Sequence, residues 1–156
     1  MIIREINDDE IGLLSEFLYE AIYQSDSSQL VARTIIQDPS LWVYVKNFKK
    51  EKDDYCLVAI VDELIIGAVW VRCINGYGHI DADVPEFAIS VYKEYRNRGI
   101  GYKLMSEMLK YLKEKGYAKT SLAVQKDNYA LGMYQKLGFV IHDETKEEYI
   151  MICELN

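Results

Sequence analysis

The sequence contains few of the residues that build metal centres, disulfide frameworks and proline-rich linkers. Among its 156 residues are only two histidines, two prolines and three cysteines. The cysteines (Cys56, Cys73 and Cys153) form no CxxC pair, and their odd number leaves no complete disulfide set, so buried thiols in a reducing compartment are expected. No His/Cys/Asp cluster has the spacing of metal ligands, and we expect no metal.

The sequence also lacks an excess of positive charge, a targeting segment and a long apolar run. The net charge of −7 argues against nucleic acid as a partner. The first residues, MIIREINDDE, contain no basic segment followed by an apolar one, so they predict no secretory signal. No apolar run approaches the length of a membrane span. A cytoplasmic protein without a membrane partner is therefore expected.

The remaining pattern predicts a single α/β (α+β) domain over residues 1–156. Strands are predicted at 1–6, at 54–61 and 64–74 as a hairpin, at 84–92, and in TSLAV, GFVIHDE and EEYIMICEL. Helices are predicted at 9–23, around 28–37, after Pro39, from Gly99 to Gly116 and in DNYALGMYQKL. This order packs economically as a mixed sheet of about seven strands with helices on both faces. The last strand is expected at a sheet edge, where pairing with a second copy would give a homodimer.

Positive charge is concentrated in one short stretch, EYRNRGIGYKLM, residues 94–105. Residues 93–103 contain four cationic side chains against Glu94 alone, although the whole chain is acidic. Two glycines stand two residues apart where an amphipathic helix begins. A helix start offers unpaired N–H groups, and glycine lets a backbone approach a phosphate, so an anion site is predicted. A solvated charged turn is the alternative.

The glycine motif matches neither of two common nucleotide loops. A Walker loop requires GxxxxGK[ST], and a dinucleotide fingerprint requires a third glycine where Leu104 stands. What remains is R-x-x-G-x-G, from Arg96 to Gly101, between a strand and a helix. Together with the following strand, DNYALGMYQKLGF and a further strand, it resembles the GNAT superfamily of acyl-CoA-dependent N-acyltransferases over roughly residues 84–140.

The resemblance implies a GNAT-like fold and an enzyme that transfers the acetyl group of acetyl-CoA to a primary amine of a small molecule or peptide. It implies direct attack in a ternary complex. The coenzyme pyrophosphate would be held by the turn made of Arg96, Asn97, Arg98, Gly99, Ile100, Gly101 and Tyr102. The strand before the turn would splay from its neighbour and pair with the pantetheine arm through the backbone of Ile89, Ser90 and Val91. Asn128 matches a position whose amide contacts the cofactor, with a helix N-cap as the alternative.

Two side chains are predicted to carry the chemistry. The resemblance implies that Tyr134 lies beside the thioester sulfur and protonates the departing thiolate; a core tyrosine is the alternative. An alkylammonium group has a pKa near about 10 and must lose a proton before it attacks. Glu86 is the predicted base, directly or through water, with a solvent-facing strand glutamate as the alternative. We rank His79 and His142 below it, and the strand context of Cys73 disfavours it as a nucleophile.

The acceptor pocket is expected from the first two helices, the loop between them and the turn before the cofactor strand. These segments contain Tyr19, Tyr23, the SDSS turn, Tyr77, Asp81 and Asp83. Aromatic rings beside carboxylates suit a cationic amine. Two other functions stay open at this point: a domain that binds acyl-CoA without transferring the acyl group, and a structural protein whose glycine turn only begins a helix.

Overall fold

A mixed β-sheet organises the computed structural model, which describes residues 1–22 and 31–156. Its strands in chain order are β1 (Ile2–Glu5), β2 (Tyr55–Val61), β3 (Leu64–Arg72), β4 (Glu86–Val91), β5 (Lys119–Gln125), β6 (Val140–Glu144) and β7 (Glu148–Glu154). In space they follow the order β1-β2-β3-β4-β5-β7-β6. Neighbouring strands are antiparallel except for β4 and β5, which are parallel.

The helices of the described residues are α1 (Leu14–Ala21), α2 (Pro39–Trp42), α3 (Ile100–Glu114) and α4 (Leu131–Lys136). Short 3₁₀ helices cover Asp8–Leu13, Arg33–Gln37 and Lys93–Tyr95. None of the helices in the described ranges is both long and apolar enough to span a bilayer.

Helices cover both faces of the sheet, as the sequence predicts. On one face α3 buries an apolar stripe at helical spacing, made of Ile100, Leu104, Met105, Met108 and Leu112. On the other face α1 buries Leu14, Phe17 and Leu18 in a second cluster, which contains Trp70. Each such apolar side chain contributes about 1.5–3 kcal/mol on burial, so the two clusters fix the sheet between the helices.

Several predicted boundaries change in the structure. The predicted helix 9–23 begins as 3₁₀ helix and becomes α1 only at Leu14. The helix expected around 28–37 is a 3₁₀ turn, Arg33–Gln37, and its first part lies outside the described residues. In DNYALGMYQKL, only Leu131–Lys136 is helical. Cys56 and Cys153 are buried as expected, whereas Cys73 is only partly buried because β3 ends one residue before it.

The expectation that EEYIMICEL forms a sheet edge is wrong. This segment forms β7, which pairs with β5 on one side and with β6 on the other. Met151, Ile152 and Cys153 are consecutive and all buried, which is typical of a central strand covered on both faces. The edge is β6, whose side chains are exposed. The predicted pairing of two copies through the last strand therefore has no basis.

A buried ion pair fastens the segment after α2 to the sheet. Arg72, at the end of β3, donates from Nε and Nη2 to the two carboxylate oxygens of Asp54 at 3.0 and 2.9 Å. Its Nη1 donates to the carbonyl oxygens of Val43 and Lys46 at 2.9 and 2.7 Å. The Arg72 and Asp54 side chains are only 6% and 1% exposed. This contact fixes the backbone on both sides of Tyr44, which contributes to the site described next.

Candidate active site

The parallel strands β4 and β5 separate shortly after they begin. Strand β4 pairs with β3 at six positions, but with β5 only where Glu86 lies opposite Ser121. A hydrogen bond of 3.0 Å from the Ser121 N–H to the Pro85 carbonyl marks this point. Beyond it, the β5-facing backbone groups of β4 border an open wedge.

The alternation of β4 decides which backbone groups face the wedge. The Tyr92 N–H donates to the Ile66 carbonyl on β3, so the backbone of Ser90, two residues earlier, also faces β3. The backbone N–H and C=O groups of Phe87, Ile89 and Val91 therefore face β5. The prediction that Ser90 offers its backbone to the cofactor arm is wrong, because the Ser90 N–H and C=O groups face β3.

Two further contacts refine this edge of β4. The Ser90 hydroxyl is buried and donates to the Phe17 carbonyl at 2.7 Å, so it is also turned away from the wedge. The Val91 carbonyl accepts a hydrogen bond from Arg96 Nε at 2.8 Å. The backbone groups available to an extended ligand are thus those of Phe87 and Ile89 and the Val91 N–H. The sequence did not indicate Phe87.

The wedge opens into a cavity of about 360 Å³ that reaches both faces of the sheet. Its walls come from α1, the segment after α2, the turn before β4, strands β4 and β5, α4 and the β6–β7 turn. They contain Leu18, Ala21, Ile22, Leu41, Tyr44, Tyr77, Phe87, Ala88, Ile89, Leu122, Ala123, Val124, Gln125, Asn128, Tyr134, Glu147 and Glu148. Two of these described residues are carboxylic acids and none is basic, so the walls favour a cationic ligand over an anionic one.

The glycine turn presents backbone donors at the start of α3. Asn97 and Gly99 have φ angles of 64° and 78°, a left-handed conformation that suits glycine. Within the described residues, the N–H groups from Arg98 to Tyr102 have no hydrogen-bond acceptor; the next donor, that of Lys103, bonds to the Gly99 carbonyl. Free N–H groups at the positive end of a 15-residue helix form an anion site. Ile100 contributes only its backbone, because its side chain is buried in the core.

The cations beside this turn differ in what they contact. Arg96 is bound within the protein, by the Val91 carbonyl and by a 3.4 Å contact with the Glu20 carboxylate. Arg98 is exposed, with its guanidinium carbon 5.4 Å from the centre of the Tyr95 ring. Lys103 is exposed too, and neither forms an ion pair with any described residue. Arg96 therefore fixes the turn, whereas Arg98 and Lys103 are free to meet phosphates.

We expect Arg98→Ala to raise the Kd for coenzyme A several-fold and to reduce its salt dependence, because one exposed cation near the phosphates is removed. Calorimetric titration at low and moderate salt measures both effects. Lys110→Ala, which removes an exposed lysine further along α3, is the matched control and leaves the Kd within about twofold, as expected for a charge more than a Debye length of about 10 Å away. An unchanged Kd for Arg98→Ala would show that the Arg98 side chain does not contact the phosphates and would leave their binding to the backbone N–H groups.

Tyr134 lies on α4 with its ring in the core and lines the cavity. Its side chain is 8% exposed, and its hydroxyl has no hydrogen-bond partner within residues 1–22 and 31–156. Burial raises the pKa of Tyr134 to about 12, so the hydroxyl is protonated at neutral pH. A buried donor without a protein acceptor is rare in a folded protein, so this hydroxyl is available to a molecule bound in the cavity.

Asn128 is not the N-cap of α4, which is Ala130, but it stabilises the turn before that helix. Its side-chain oxygen accepts a hydrogen bond of 2.8 Å from the Ala130 N–H, which starts the turn leading into α4. Its side chain also lines the cavity. The amide nitrogen is left to donate toward a ligand, so the turn contact and the predicted cofactor contact do not exclude each other.

Glu86 lies behind the cavity wall rather than in it. The carboxylate is 1% exposed and accepts hydrogen bonds from the Tyr44 hydroxyl at 2.7 Å and from the N–H groups of Gly76 and Gly78 at 3.0 and 3.1 Å. Burial raises the pKa of Glu86, and these three donors oppose the rise. The solvent-facing alternative is wrong. Tyr44, whose hydroxyl donates to this carboxylate, does line the cavity.

We expect Glu86→Gln to lower the free energy of unfolding by about 1–3 kcal/mol, because an amide NH₂ then faces a buried N–H or O–H donor. Urea unfolding measures the loss. Glu63→Gln, at the exposed tip of the β2–β3 hairpin, is the control and is expected to change stability by less than about 0.5 kcal/mol. Equal stabilities of the two variants would contradict the three hydrogen bonds.

The residues predicted for the acceptor pocket lie in different places. Tyr77 lines the cavity, whereas Tyr19 packs under Arg33, whose guanidinium carbon lies 4.8 Å from the ring centre. Asp81 and Asp83 are exposed and do not line the cavity. Tyr23 and the SDSS turn lie outside the described residues.

The carboxylates that do line the cavity are Glu147 and Glu148, which the sequence did not indicate. Tyr44 and Gln125 were missed as well. Each comes from a segment distant in the chain, and the strand order alone brings them to one cavity, so the sequence offered no local signal for them.

The rival nucleophile and bases do not line the cavity. His79 is exposed and bonds through Nδ1 to the Ile74 carbonyl, and His142 is exposed on β6. Burial and the neighbouring Asp53 raise the pKa of Cys73 to about 12, so its thiol is not the thiolate that nucleophilic attack requires.

A splayed parallel strand pair, a turn with free N–H groups at a helix start and a tyrosine at the wedge are the features that the resemblance to the GNAT superfamily implies. The chain matches the acetyltransferase (GNAT) family over residues 19–139 and belongs to it. It is accordingly an enzyme that transfers an acetyl group from acetyl-CoA to an amine.

Individual relatives agree with this assignment. N-alpha-acetyltransferase 30 of Schizosaccharomyces pombe is 26% identical over 140 residues, which cover 85% of this chain and 87% of that protein. Acetyltransferase PseH of Campylobacter jejuni is 29% identical over 147 residues, covering 93% and 86%.

Solved structures share the fold at lower identity. A GNAT-family acetyltransferase of Streptococcus pneumoniae superposes with a TM-score of 0.71 at 21% identity, covering 99% of each chain. The PaiA N-acetyltransferase of Thermoplasma acidophilum, solved in complex with coenzyme A, superposes with a TM-score of 0.70 at 22% identity, covering 98% of each chain.

Proposed function

We propose that this enzyme acetylates the primary amine of a cationic acceptor, a small alkylamine or a peptide N-terminus, and that it disfavours acceptors with an acid group near the amine. One observation carries this proposal: the described cavity walls hold two carboxylates and no basic side chain. Such walls attract an ammonium group and repel a second carboxylate or a phosphate.

In this proposal the coenzyme enters from the α3 side. Its phosphates meet the free N–H groups from Arg98 to Tyr102, and its arm follows the β5-facing groups of Phe87, Ile89 and Val91. The thioester then lies in the wedge, between Tyr134 on one face and the walls formed by Tyr44 and Tyr77 on the other. The thioester carbonyl is thus open to an amine from the Tyr44 side.

Tyr134 protonates the departing thiolate. Its hydroxyl is the unpartnered donor of the cavity, and its raised pKa keeps the proton in place until a thiolate forms. Glu86 holds Tyr44 and the 76–78 turn in position. A role of Glu86 as the base would require a relay through the Tyr44 hydroxyl, so we assign it the positioning of Tyr44 and this turn. A cytoplasmic location stays part of the proposal, since three free cysteines suit a reducing compartment.

A matched pair of amines tests the acceptor class. Butylamine and 4-aminobutyrate share a chain length and differ by one carboxylate, and alanine amide represents a peptide N-terminus. We expect thiol release from acetyl-CoA with butylamine or alanine amide, and a kcat/KM for 4-aminobutyrate at least about tenfold lower than for butylamine, as like-charge contact demands. Preference for 4-aminobutyrate would overturn the proposal. Binding of acetyl-CoA without turnover of any amine would favour a non-catalytic acyl-CoA-binding domain.

A further inference from the structure

Burial of Glu86 leaves the acceptor side of the cavity without the carboxylate that the sequence placed there. An ammonium group in the cavity needs a counter-charge and a proton acceptor that it touches directly. Glu147 and Glu148, at the β6–β7 turn, are the acids that line the described walls. Of these two, Glu147 is exposed and Glu148 is partly buried.

The sheet register directs Glu148 to the acceptor face. Leu122 and Val124 of β5 belong to the core beneath α3, so Ala123 and Gln125 face the opposite side, with Tyr44. Glu148 pairs with Gln125 across the β5–β7 ladder and therefore shares that side. Its charge also raises the pKa of the Tyr44 hydroxyl, which places the two groups near each other across the cavity.

The backbone of Glu148 is fixed while its side chain is unpaired. Its carbonyl accepts from the Thr145 N–H at 2.8 Å, and its N–H donates to the Thr145 hydroxyl at 3.1 Å. The nearby cation, Lys126, pairs with Glu144 instead. Among the ion pairs of the described residues none involves Glu148, although this carboxylate is half-buried.

An independent feature of the same cavity indicates that a reacting ligand binds there. Tyr134 is more than nine-tenths buried and lines the cavity, and its hydroxyl lacks a partner among the described residues. A proton donor of this kind on the α4 side and an unpaired carboxylate on the β7 side are the two groups that aminolysis of a thioester requires.

We propose that Glu148 binds the ammonium group of the acceptor and takes the proton that must leave before attack. This inference rests on the proposed function. The ammonium passes one proton to the Glu148 carboxylate. The freed nitrogen lone pair forms a C–N bond with the thioester carbonyl carbon. As the intermediate collapses, the C–S bond breaks and its electron pair leaves on sulfur, which takes the Tyr134 proton.

The proton balance closes without a further reagent. The new amide nitrogen still carries one surplus proton, which returns to the Tyr134 oxygen through solvent. Glu148 releases its own proton to solvent, so one amine and one acetyl-CoA give one amide, one thiol and, from an ammonium ion, one free proton. No oxidant, reductant or metal takes part in these steps.

The titratable and charged groups near Glu148 come from several elements of the described structure. Glu147 adjoins it on the β6–β7 turn, Lys126 follows β5, Tyr44 and Tyr77 form the opposite wall, and Tyr134 lies on α4. Burial and Glu147 together raise the pKa of Glu148. Activity that depends on ionised Glu148 is therefore present above this raised pKa and is lost as the pH falls through it.

The test compares Glu148→Gln with wild type, using whichever of butylamine and alanine amide the wild type acetylates faster. At neutral pH we expect kcat/KM to fall about 100-fold, the lower end of what a general base contributes. Near about pH 9.5 the loss shrinks below about tenfold with either amine, because part of butylamine, with a pKa near about 10, and nearly all of alanine amide, an α-amine with a pKa near about 8, is then neutral. Glu148→Asp is expected to recover part of the activity. Glu154→Gln, at the exposed far end of β7, is the matched control.

Each outcome separates this inference from the proposed function. A Glu148→Gln enzyme within about threefold of wild type at neutral pH, with the wild type active, overturns the role of Glu148 and leaves amine acetylation standing. A loss of equal size at every pH assigns Glu148 to structure and also overturns the role. A wild type that binds acetyl-CoA but acetylates no amine overturns the proposed function, and this inference with it. Unchanged acetyl-CoA binding by Glu148→Gln is required for the supporting result.

Discussion

Replacing Tyr134 by phenylalanine is expected to lower kcat by about 100-fold or more, within the range of 10²–10⁴ for general acid–base catalysis. The hydroxyl lies in the cavity without a partner among the described residues, so its loss leaves no other buried group unsatisfied. The ring stays packed against Phe139, and the fold is therefore preserved. We expect the free energy of unfolding and the Kd for acetyl-CoA to stay close to wild-type values.

Steady-state thiol release and calorimetric titration measure these quantities. Tyr129→Phe removes an exposed hydroxyl from the loop before α4 and is the matched control. A more acidic thiol needs less proton donation as it leaves. The loss of kcat in Tyr134→Phe, relative to wild type, should therefore be smaller when the substrate is an acetyl thioester of a more acidic thiol than coenzyme A. A kcat within tenfold of wild type, or a deficit independent of the leaving group, would remove Tyr134 from the role of acid.

The largest expected effect on stability is that of Arg72→Ala. The change leaves the Asp54 carboxylate charged and buried and removes the donor from the Val43 and Lys46 carbonyls. Breaking a buried ion pair from one side costs about 3–5 kcal/mol. Since domains are stable by only about 5–15 kcal/mol, a large share of the folding free energy depends on this arginine.

Urea unfolding of Arg72→Ala and Arg4→Ala provides the comparison. Arg4 also bonds both oxygens of a carboxylate, that of Glu10, but this pair is partly exposed, and exposed pairs contribute about 0–1 kcal/mol. Arg72→Lys keeps the positive charge but loses the two-pronged guanidinium. Its loss of unfolding free energy is expected to lie between those of Arg72→Ala and Arg4→Ala. Similar losses for Arg72→Ala and Arg4→Ala would show that burial of the Arg72–Asp54 pair does not decide its contribution.

Local sequence patterns predicted the elements on the coenzyme side of the site. The glycine turn and α3 occupy one continuous stretch, and the strand predicted at 84–92 placed β4 directly before it. Two backbone groups there were predicted wrongly. Ser90 was grouped with Ile89 and Val91, although only alternate residues of a strand direct their backbone groups to the same neighbour. The Arg96 N–H donates to the Lys93 carbonyl and is not free for a phosphate. The burial of Glu86 was hidden for another reason, since Tyr44 and the 76–78 turn that cover it come from other segments.

The acceptor side depended on contacts that no local pattern encodes. Glu148 reaches the cavity because β7 inserts between β5 and β6, and a sequence order of β6 before β7 does not reveal this insertion. The apolar run Met151, Ile152 and Cys153 did contain a signal for a central strand. That run indicates a strand covered on both faces, but it does not identify β5 and β6 as its neighbours.

The single pairing of Glu86 with Ser121 gives the protein a sheet in two halves, β1 to β4 and β5 to β7, joined by backbone bonds at one vertex. An extended ligand in the wedge supplies the missing rung between the halves, so occupancy and folding are linked. A ligand at about 100 times its Kd adds roughly 2.7 kcal/mol to the free energy of unfolding. Bound coenzyme is therefore expected to protect the enzyme against unfolding as well as to supply the acetyl group.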